Sequence, residues 1–402
     1  MIKKSIFQKL SLQWRSIIFI NIISTFAQLG QLGIGFAVLP IWLAARGVEP
    51  INLGFFGAAE WAGMLLGMLA TLKLVAKFSS KKVILLGLIS SSLGFLLIPL
   101  SDWPMWLISA FLIGFGMGLR WIALETWLYR IVPKNILGQV AGVHVALIAS
   151  AMIIPPALVA VLTTANNHLL MLGVIFNLFA ALPLLIIKSE VSKNINVDNK
   201  INFLLNFNFF NVDNTILLGL YIAIVGGVID GALMALFPIF SLGRGFLESQ
   251  TGSLLASIGV GGLVMQYPIG WLSDRAGFIK AGLLAAGISC IVATIIVLTT
   301  LSFNWLLLLC LLLGAATTCF LTLGIIVAAY TQDHSLMAEN MSKVSIAFTA
   351  SSIVGALMAG FAAENVNHDA VIWLVAITSG VITLVFTHAL FKQKGLANTI
   401  VS

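Results

Sequence analysis

Twelve apolar stretches, each with few charges, follow one another along this chain, at roughly 17–44, 51–76, 83–100, 105–129, 139–162, 168–188, 215–240, 251–273, 279–299, 304–330, 342–364 and 369–391. About 20 apolar residues in a helix cross the ~30 Å hydrocarbon core of a bilayer. The pattern therefore predicts twelve transmembrane helices. Strands of a membrane barrel need ~10-residue segments that alternate apolar and polar residues, and runs such as Val83 to Leu100 have no such alternation. The fold class is an all-α membrane protein. Composition closes the other routes, because 60% of the 402 residues are hydrophobic and only 9% are charged. A soluble domain carries about 25% charged residues, and without them its surface would expose apolar patches that soluble monomers do not tolerate.

Lys and Arg set the expected orientation, since cytoplasmic loops hold the excess. With a cytoplasmic N-terminus, 18 of the basic residues fall inside, only Arg46 and Arg244 fall outside, and Arg120 lies within a span. Both termini are then cytoplasmic. The net charge of +7 needs no nucleic acid, because an anionic membrane surface is a sufficient partner. The first span has a basic leader but is longer than a signal-peptide core and lacks a small-residue cleavage site, so it reads as an uncleaved anchor. Cys290, Cys310 and Cys319 lie in or beside apolar spans, and they read as small core residues with no disulfide or metal framework.

The longest polar interruption, 189–214, is rich in Asn and divides the spans into six and six. The division predicts an N-terminal half at 1–188, a cytoplasmic linker loop at 189–214 and a C-terminal half at 215–402. An internal repeat supports it. At an offset of 198, Pro40, Ile41, Arg46 and Gly47 fall on Pro238, Ile239, Arg244 and Gly245, and Gly54, Ala58 and Gly63 fall on Gly252, Ala256 and Gly261. Two six-helix halves related by an axis along the membrane normal are a known transporter design.

The segment Gly270-Trp271-Leu272-Ser273-Asp274-Arg275-Ala276-Gly277 resembles the signature loop of the major facilitator superfamily, Gly-x-Leu-Ser-Asp-Arg-x-Gly. More narrowly, Leu124 to Leu128 and Gln266 to Arg275 resemble the YcaD-like branch of bacterial transporters. The resemblance implies a monomer in the bacterial inner membrane. It also implies that spans one, four, seven and ten line a central cavity while three, six, nine and twelve sit outside. In the loop, Gly270 and Gly277 would allow close helix approach and a tight turn. Asp274, beside Arg275, would accept hydrogen bonds at a helix N-terminus. Resemblance and pseudo-symmetry put that N-terminus near Gly138 and Gln139, as an inner gate. The equivalent first-half loop, Lys73 to Lys82, is basic and has no Asp.

An ionisable side chain at the bilayer centre costs about 2.5–3.5 kcal/mol on insertion scales, so such residues mark a pathway or an internal pair. The candidates are Glu60 in span two, Arg120 and Glu125 in span four, and Asp230 in span seven. Asp230 lies near mid-depth beside Gly226, Gly227 and Gly231, which leave room for a ligand or a neighbouring helix. A carboxyl group in a dry site holds a proton readily, which suits a proton carrier; the alternative is a structural pair with Arg120. Arg120 stays charged and can bind an anionic group. Five residues separate it from Glu125, ~140° around the helix, so Trp121 is the residue that shares a face with Glu125. Asn21, Thr25, Gln28 and Gln31 share a face of span one. Thr317, Thr318, Thr322, Ser345, Thr349 and Ser352 read as packing hydroxyls, and His144 and His388 as interfacial residues. Trp42, Trp103, Trp106 and Trp305 read as an outer interfacial belt. Pro155-Pro156 predicts a bend in span five.

No phosphate-binding loop, zinc spacing or soluble catalytic domain is present. The chain is not read as an enzyme, and no cofactor or metal is expected. The function expected is secondary transport of a small organic solute by alternating access, coupled to protons or another ion, with export of an amphiphilic or cationic compound as the first reading. Uptake of an anionic or zwitterionic metabolite held by Arg120 is the alternative. A non-transporting receptor or assembly factor on the same fold is a third.

Overall fold

A computed structural model of the protein describes residues 2–133, 136–162, 168–187, 214–329 and 337–401. The predicted linker loop, but for Asn214, lies outside the described residues. Twelve helices are long and apolar enough to cross a bilayer, and no strand occurs among the described residues. They are Trp14–Ala44, Pro50–Thr71, Ser80–Leu100, Trp106–Ile131, Leu137–Val159, His168–Ile186, Ile216–Gly243, Glu248–Ala276, Phe278–Leu298, Phe303–Ala329, Glu339–Asn365 and Ala370–His388, spans one to twelve.

The helices gather into two compact units. The first holds the described residues of 1–39, 62–156 and 164–207, and the second those of 40–61, 157–163 and 208–402. The C-terminal end of span one and the N-terminal half of span two therefore pack with the C-terminal spans.

Small residues set the packing, as expected where apolar burial cannot drive helix association. In the first unit, a Cβ at Gly87 of span three would meet the carbonyl of Gly116, and one at Gly116 would lie 2.8 Å from the Ser91 nitrogen. Neither glycine can be enlarged without separating spans three and four. In the second unit, Gly227 and Gly231 of span seven lie against Phe348, Ser351 and Ser352 of span eleven, and Gly226 against Phe320 of span ten. The room those glycines leave is thus filled by helices.

The Arg-Gly repeat is also a structural one. Gly47 and Gly245 have φ of 75° and 85°, a region open to glycine. The Gly47 N–H donates to the Ala44 carbonyl at 3.0 Å and the Val48 N–H to Leu43 at 3.3 Å. At Gly245 and Phe246 the same bonds go to Leu242 at 2.9 Å and Ser241 at 3.2 Å. Both are Schellman helix ends. The two arginines then diverge. Arg46 stacks on Trp42 at 3.6 Å. Arg244 pairs with Asp369 at 2.6 Å and donates to the carbonyls of Thr299 and Val297, holding the end of span nine. Trp42, expected in an interfacial belt, is instead buried, 3% exposed.

Two spans of the first unit are irregular at one level. Residues Leu29–Val38 of span one form a π-helix. Span five passes from Leu137–Ala149 through a 3₁₀ turn at Ser150–Met152 to Ile154–Val159. Proline explains the second break. Pro155 has no N–H, so it cannot satisfy the carbonyl four residues back, which belongs to Ala151. That carbonyl lies 2.6 Å from where a Cβ on Gly33 would stand, so the broken turn nests on the π segment at a residue with no side chain.

Candidate transport-pathway residues

In the first unit, Arg120 is buried, 2% exposed. Its Nε donates to the Gln31 Oε1 at 2.6 Å, and its Nη2 donates to the Gln28 Oε1. Span three's approach at Gly87 brings it there, since a Cβ on Gly87 would lie 3.2 Å from the Arg120 nitrogen. Gln31 passes the chain on, its Nε2 donating to the Ser91 Oγ at 2.8 Å. Asn177 of span six donates to Ser91 at 3.0 Å and to Ser92 at 3.1 Å. Spans one, three, four and six are thus tied by one polar network inside an apolar unit. The Asn177 Oδ1 is buried without a hydrogen-bond partner among the described residues.

The side-chain acceptors of the Arg120 guanidinium are neutral amide oxygens, although buried charges are ordinarily paired with an opposite charge. Glu125 does not supply one by contact. Its Oε1 accepts a bond from the Trp121 Nε1 at 2.7 Å, the pairing expected of residues four apart. Span one's polar face splits by role. Asn21 and Thr25 bond back to the carbonyls of Ile17 and Asn21, while Gln28 and Gln31, at the start of the π segment, reach across. His144, expected at an interface, is buried, and its Nδ1 lies 3.0 Å from the Asn21 Oδ1.

In the second unit, Asp230 is partly buried on span seven and has no hydrogen-bond or ion-pair partner among the described residues. It lies four residues beyond Gly226, on the face that meets Phe320. Glu60 is buried, 1% exposed, and its Oε1 has no hydrogen-bond partner among the described residues. It is one turn beyond Gly57, which abuts Ala235 of span seven, and next to Trp61, whose ring meets Phe348 edge-on at 6.4 Å. Two acids are therefore carried by touching helices of one unit. The hydroxyls of spans ten and eleven mostly bond back within their own helices, as at Thr317, Ser345, Thr349 and Ser352. Thr322 differs, donating to Gln266 of span eight at 2.8 Å. Among the described residues no group of His, Cys, Asp and Glu is arranged to hold a metal ion.

The loop of the second unit ends span eight. Asp274 and Arg275 are exposed in its last turn, with Arg275 over the Trp271 ring at 4.5 Å. Gly277 takes φ 85° and starts span nine, the tight turn expected of it. Gly270 does not mediate close approach, since nothing among the described residues lies within 4 Å of a Cβ placed there.

The sequence profile described as Major Facilitator Superfamily matches residues 19–335 and again 222–399. A relative from Enterobacter sp. (strain 638), described as an uncharacterized MFS-type transporter, is 23% identical over 349 residues, covering 84% of this chain and 87% of its own. The uncharacterized MFS-type transporter YcaD of Salmonella arizonae is 20% identical over 346 residues, covering 85% and 87%. Among solved structures, the nucleoside transporter NupG matches with a TM-score of 0.76 at 15% identity, over 94% of this chain and 99% of its own. A D-xylose-proton symporter matches with a TM-score of 0.72 at 12% identity, over 93% and 97%. At these identities the solved structures establish the fold.

Proposed function

The chain belongs to the major facilitator superfamily, and from that premise we propose that it moves a small organic solute across the bacterial inner membrane in exchange with protons, with Asp230 as the proton-carrying group. The two six-helix halves, 1–188 and 215–402, are the bodies that alternate access, in a monomer with cytoplasmic termini. One observation carries the coupling: Asp230 is an acid within span seven with no hydrogen-bond or ion-pair partner among the described residues. Such a group can take a proton or a cationic solute from one side and give it up on the other. A solved neighbour described as a proton symporter supports a proton as the ion. Aromatic and apolar surroundings, Phe320 and Phe348 near Gly226, favour export of an amphiphilic or cationic compound. Glu60 is the second candidate acid.

A second reading has its own support. The Arg120 guanidinium, held among the described residues by the side chains of Gln28 and Gln31, is suited to the carboxylate of an anionic or zwitterionic metabolite entering by uptake. The test is transport in liposomes with a pH-sensitive dye inside. Lipophilic cations, nucleosides, sugars and carboxylates are offered in turn, and the solute that moves protons is identified. Asp230→Asn should then abolish accumulation against a gradient while sparing counterflow, which needs no net proton transfer. Accumulation at the wild-type level in Asp230→Asn would remove Asp230 from the role and pass it to Glu60 or Glu125.

A further inference from the structure

The first unit carries a groove of about 490 Å³ between spans three and six. Its walls are Leu85 of span three and Ile175, Leu178, Phe179, Leu182 and Leu185 of span six, all exposed. In a membrane-spanning helix pair, exposed apolar side chains of this kind face lipid. A single charged residue, Lys81, lines the groove. The Lys81 Nζ donates to the Ile187 carbonyl at 3.1 Å, which fixes it at the end of span six. An ammonium has three donors, so among the described residues two remain for a ligand. Lys82 follows it and is exposed. Both lie in the first turn of the helix Ser80–Leu97, which has no acid there and no side-chain cap, and a helix start favours an anion.

The dimensions select the kind of ligand. From Leu185 to Ile175 the helix rises about 15 Å, half of a ~30 Å hydrocarbon core. The groove therefore spans one leaflet, with its cation at the end where headgroups lie. A free anion would have no use for the apolar walls, and a neutral lipid would have none for Lys81.

We propose that this groove is a binding site for a glycerophospholipid with an anionic headgroup, its phosphate at Lys81 and Lys82 and one acyl chain along span six. The site is separate from the solute pathway, and its occupancy stiffens the pairing of spans three and six, the two helices that carry Ser91 and Asn177.

The test uses purified full-length protein in detergent, read by native mass spectrometry and by thermal unfolding. The probes are phosphatidylglycerol, phosphatidylcholine with the same acyl chains, and inorganic phosphate. Phosphatidylglycerol should be retained as a single adduct and raise the unfolding temperature more than phosphatidylcholine, and inorganic phosphate should do neither. Lys81→Gln should weaken phosphatidylglycerol binding about 5-fold, and adding Lys82→Gln about 25-fold in all, at about 5-fold per lysine. Phosphatidylcholine, whose choline cation offsets its phosphate, should lose less than phosphatidylglycerol. Leu178→Trp fills the groove, leaves both lysines and should also weaken phosphatidylglycerol. Equal responses to the two lipids, an effect reproduced by phosphate alone, a preference that survives the double substitution, or a second copy of the chain in place of the lipid would each overturn the proposal.

Discussion

Ser79 and Gly277 hold one backbone conformation 198 residues apart, with φ 80° and ψ 152° at Ser79 and φ 85° and ψ 149° at Gly277. The bonds around them match as well. The Ser79 N–H donates to Val75 at 3.1 Å and the Gly277 N–H to Ser273 at 3.0 Å, while Val83 and Ala281 donate back to Ser79 and Gly277. The two loops are therefore in register residue by residue. Asp274 corresponds to Ala76 and Arg275 to Lys77, so the first half has no acid at the matching position.

Glycine occupies this backbone region without strain and serine does not. A non-glycine residue there costs about 1–3 kcal/mol. Ser79 gains nothing in return by capping, since its side chain makes no cap hydrogen bond. Ser79→Gly should thus stabilise the protein by about 1 kcal/mol, after roughly 0.5–1 kcal/mol of added unfolded-chain freedom is subtracted. Gly277→Ser should destabilise it by about 1–2 kcal/mol. Apparent unfolding temperatures in one detergent read both, and shifts of the same sign in the two variants would refute the strain.

Asp274→Asn keeps the side-chain size and removes the anion. An acid at a helix N-terminus contributes about 0.3–2 kcal/mol, so an inner gate built on Asp274 should weaken by that amount and open more often. The expected outcome is slower transport by a protein that remains folded, with faster alkylation of a cysteine placed at Gln139. Because Ala76 stands at the matching position of the first loop, Ala76→Asp should have no such effect. Wild-type flux and alkylation in Asp274→Asn would leave the motif as a turn.

The spans were legible because hydrocarbon thickness imposes a length and a composition that no other fold needs, and their bounds fall within a few residues of the apolar runs. The repeat was legible in Arg46-Gly47 and Arg244-Gly245 because a helix end that needs positive φ selects glycine. What hydropathy does not carry is hydrogen-bond register. The π segment at Leu29–Val38 left only Gly30, Gly33 and Gly35 as a trace, and it is this segment that carries Gln31 toward Arg120. Ser91 and Asn177 were missed because spans three and six read as outer, apolar helices. Their signal was there, in Ser90-Ser91-Ser92 and a lone Asn177 within hydrocarbon, where polar side chains ordinarily find partners across helices. His144 was misread for a related reason, since its partner Asn21 is 123 residues away in the chain.

The expected orientation rests on the basic residues alone and is checked directly. In a variant lacking Cys290, Cys310 and Cys319, a cysteine at Lys280 should be protected from a membrane-impermeant thiol reagent in intact cells. One at Asp102 should react. Both positions are exposed, so protection reports the side of the membrane and not burial. Labelling at Lys280 with protection at Asp102 would invert the topology.

The Arg120 network separates binding from stability through two substitutions. Arg120→Lys keeps the charge but loses the planar fork, so Gln28 and Gln31 cannot both be satisfied as they are now. Bonds to a charged group contribute about 1.5–3 kcal/mol each, and losing one should lower stability by about that much. Gln31→Leu removes the link from Arg120 to Ser91 while leaving the guanidinium and Gln28 in place, and it should cost a similar amount. If the network only braces spans one, three, four and six, the two variants should lose stability alike and handle every solute as before. If Arg120 holds an anionic group, Arg120→Lys should also weaken a carboxylate solute about tenfold, the ~1.4 kcal/mol expected when a bidentate pair becomes a single contact. Its uncharged amide analogue should be unaffected. Gln31→Leu frees the Nε donor and should leave carboxylate affinity intact or raise it. Counterflow of the carboxylate and its amide in liposomes, set beside unfolding temperatures for both variants, decides the matter. Equal losses for carboxylate and amide would assign Arg120 to the scaffold.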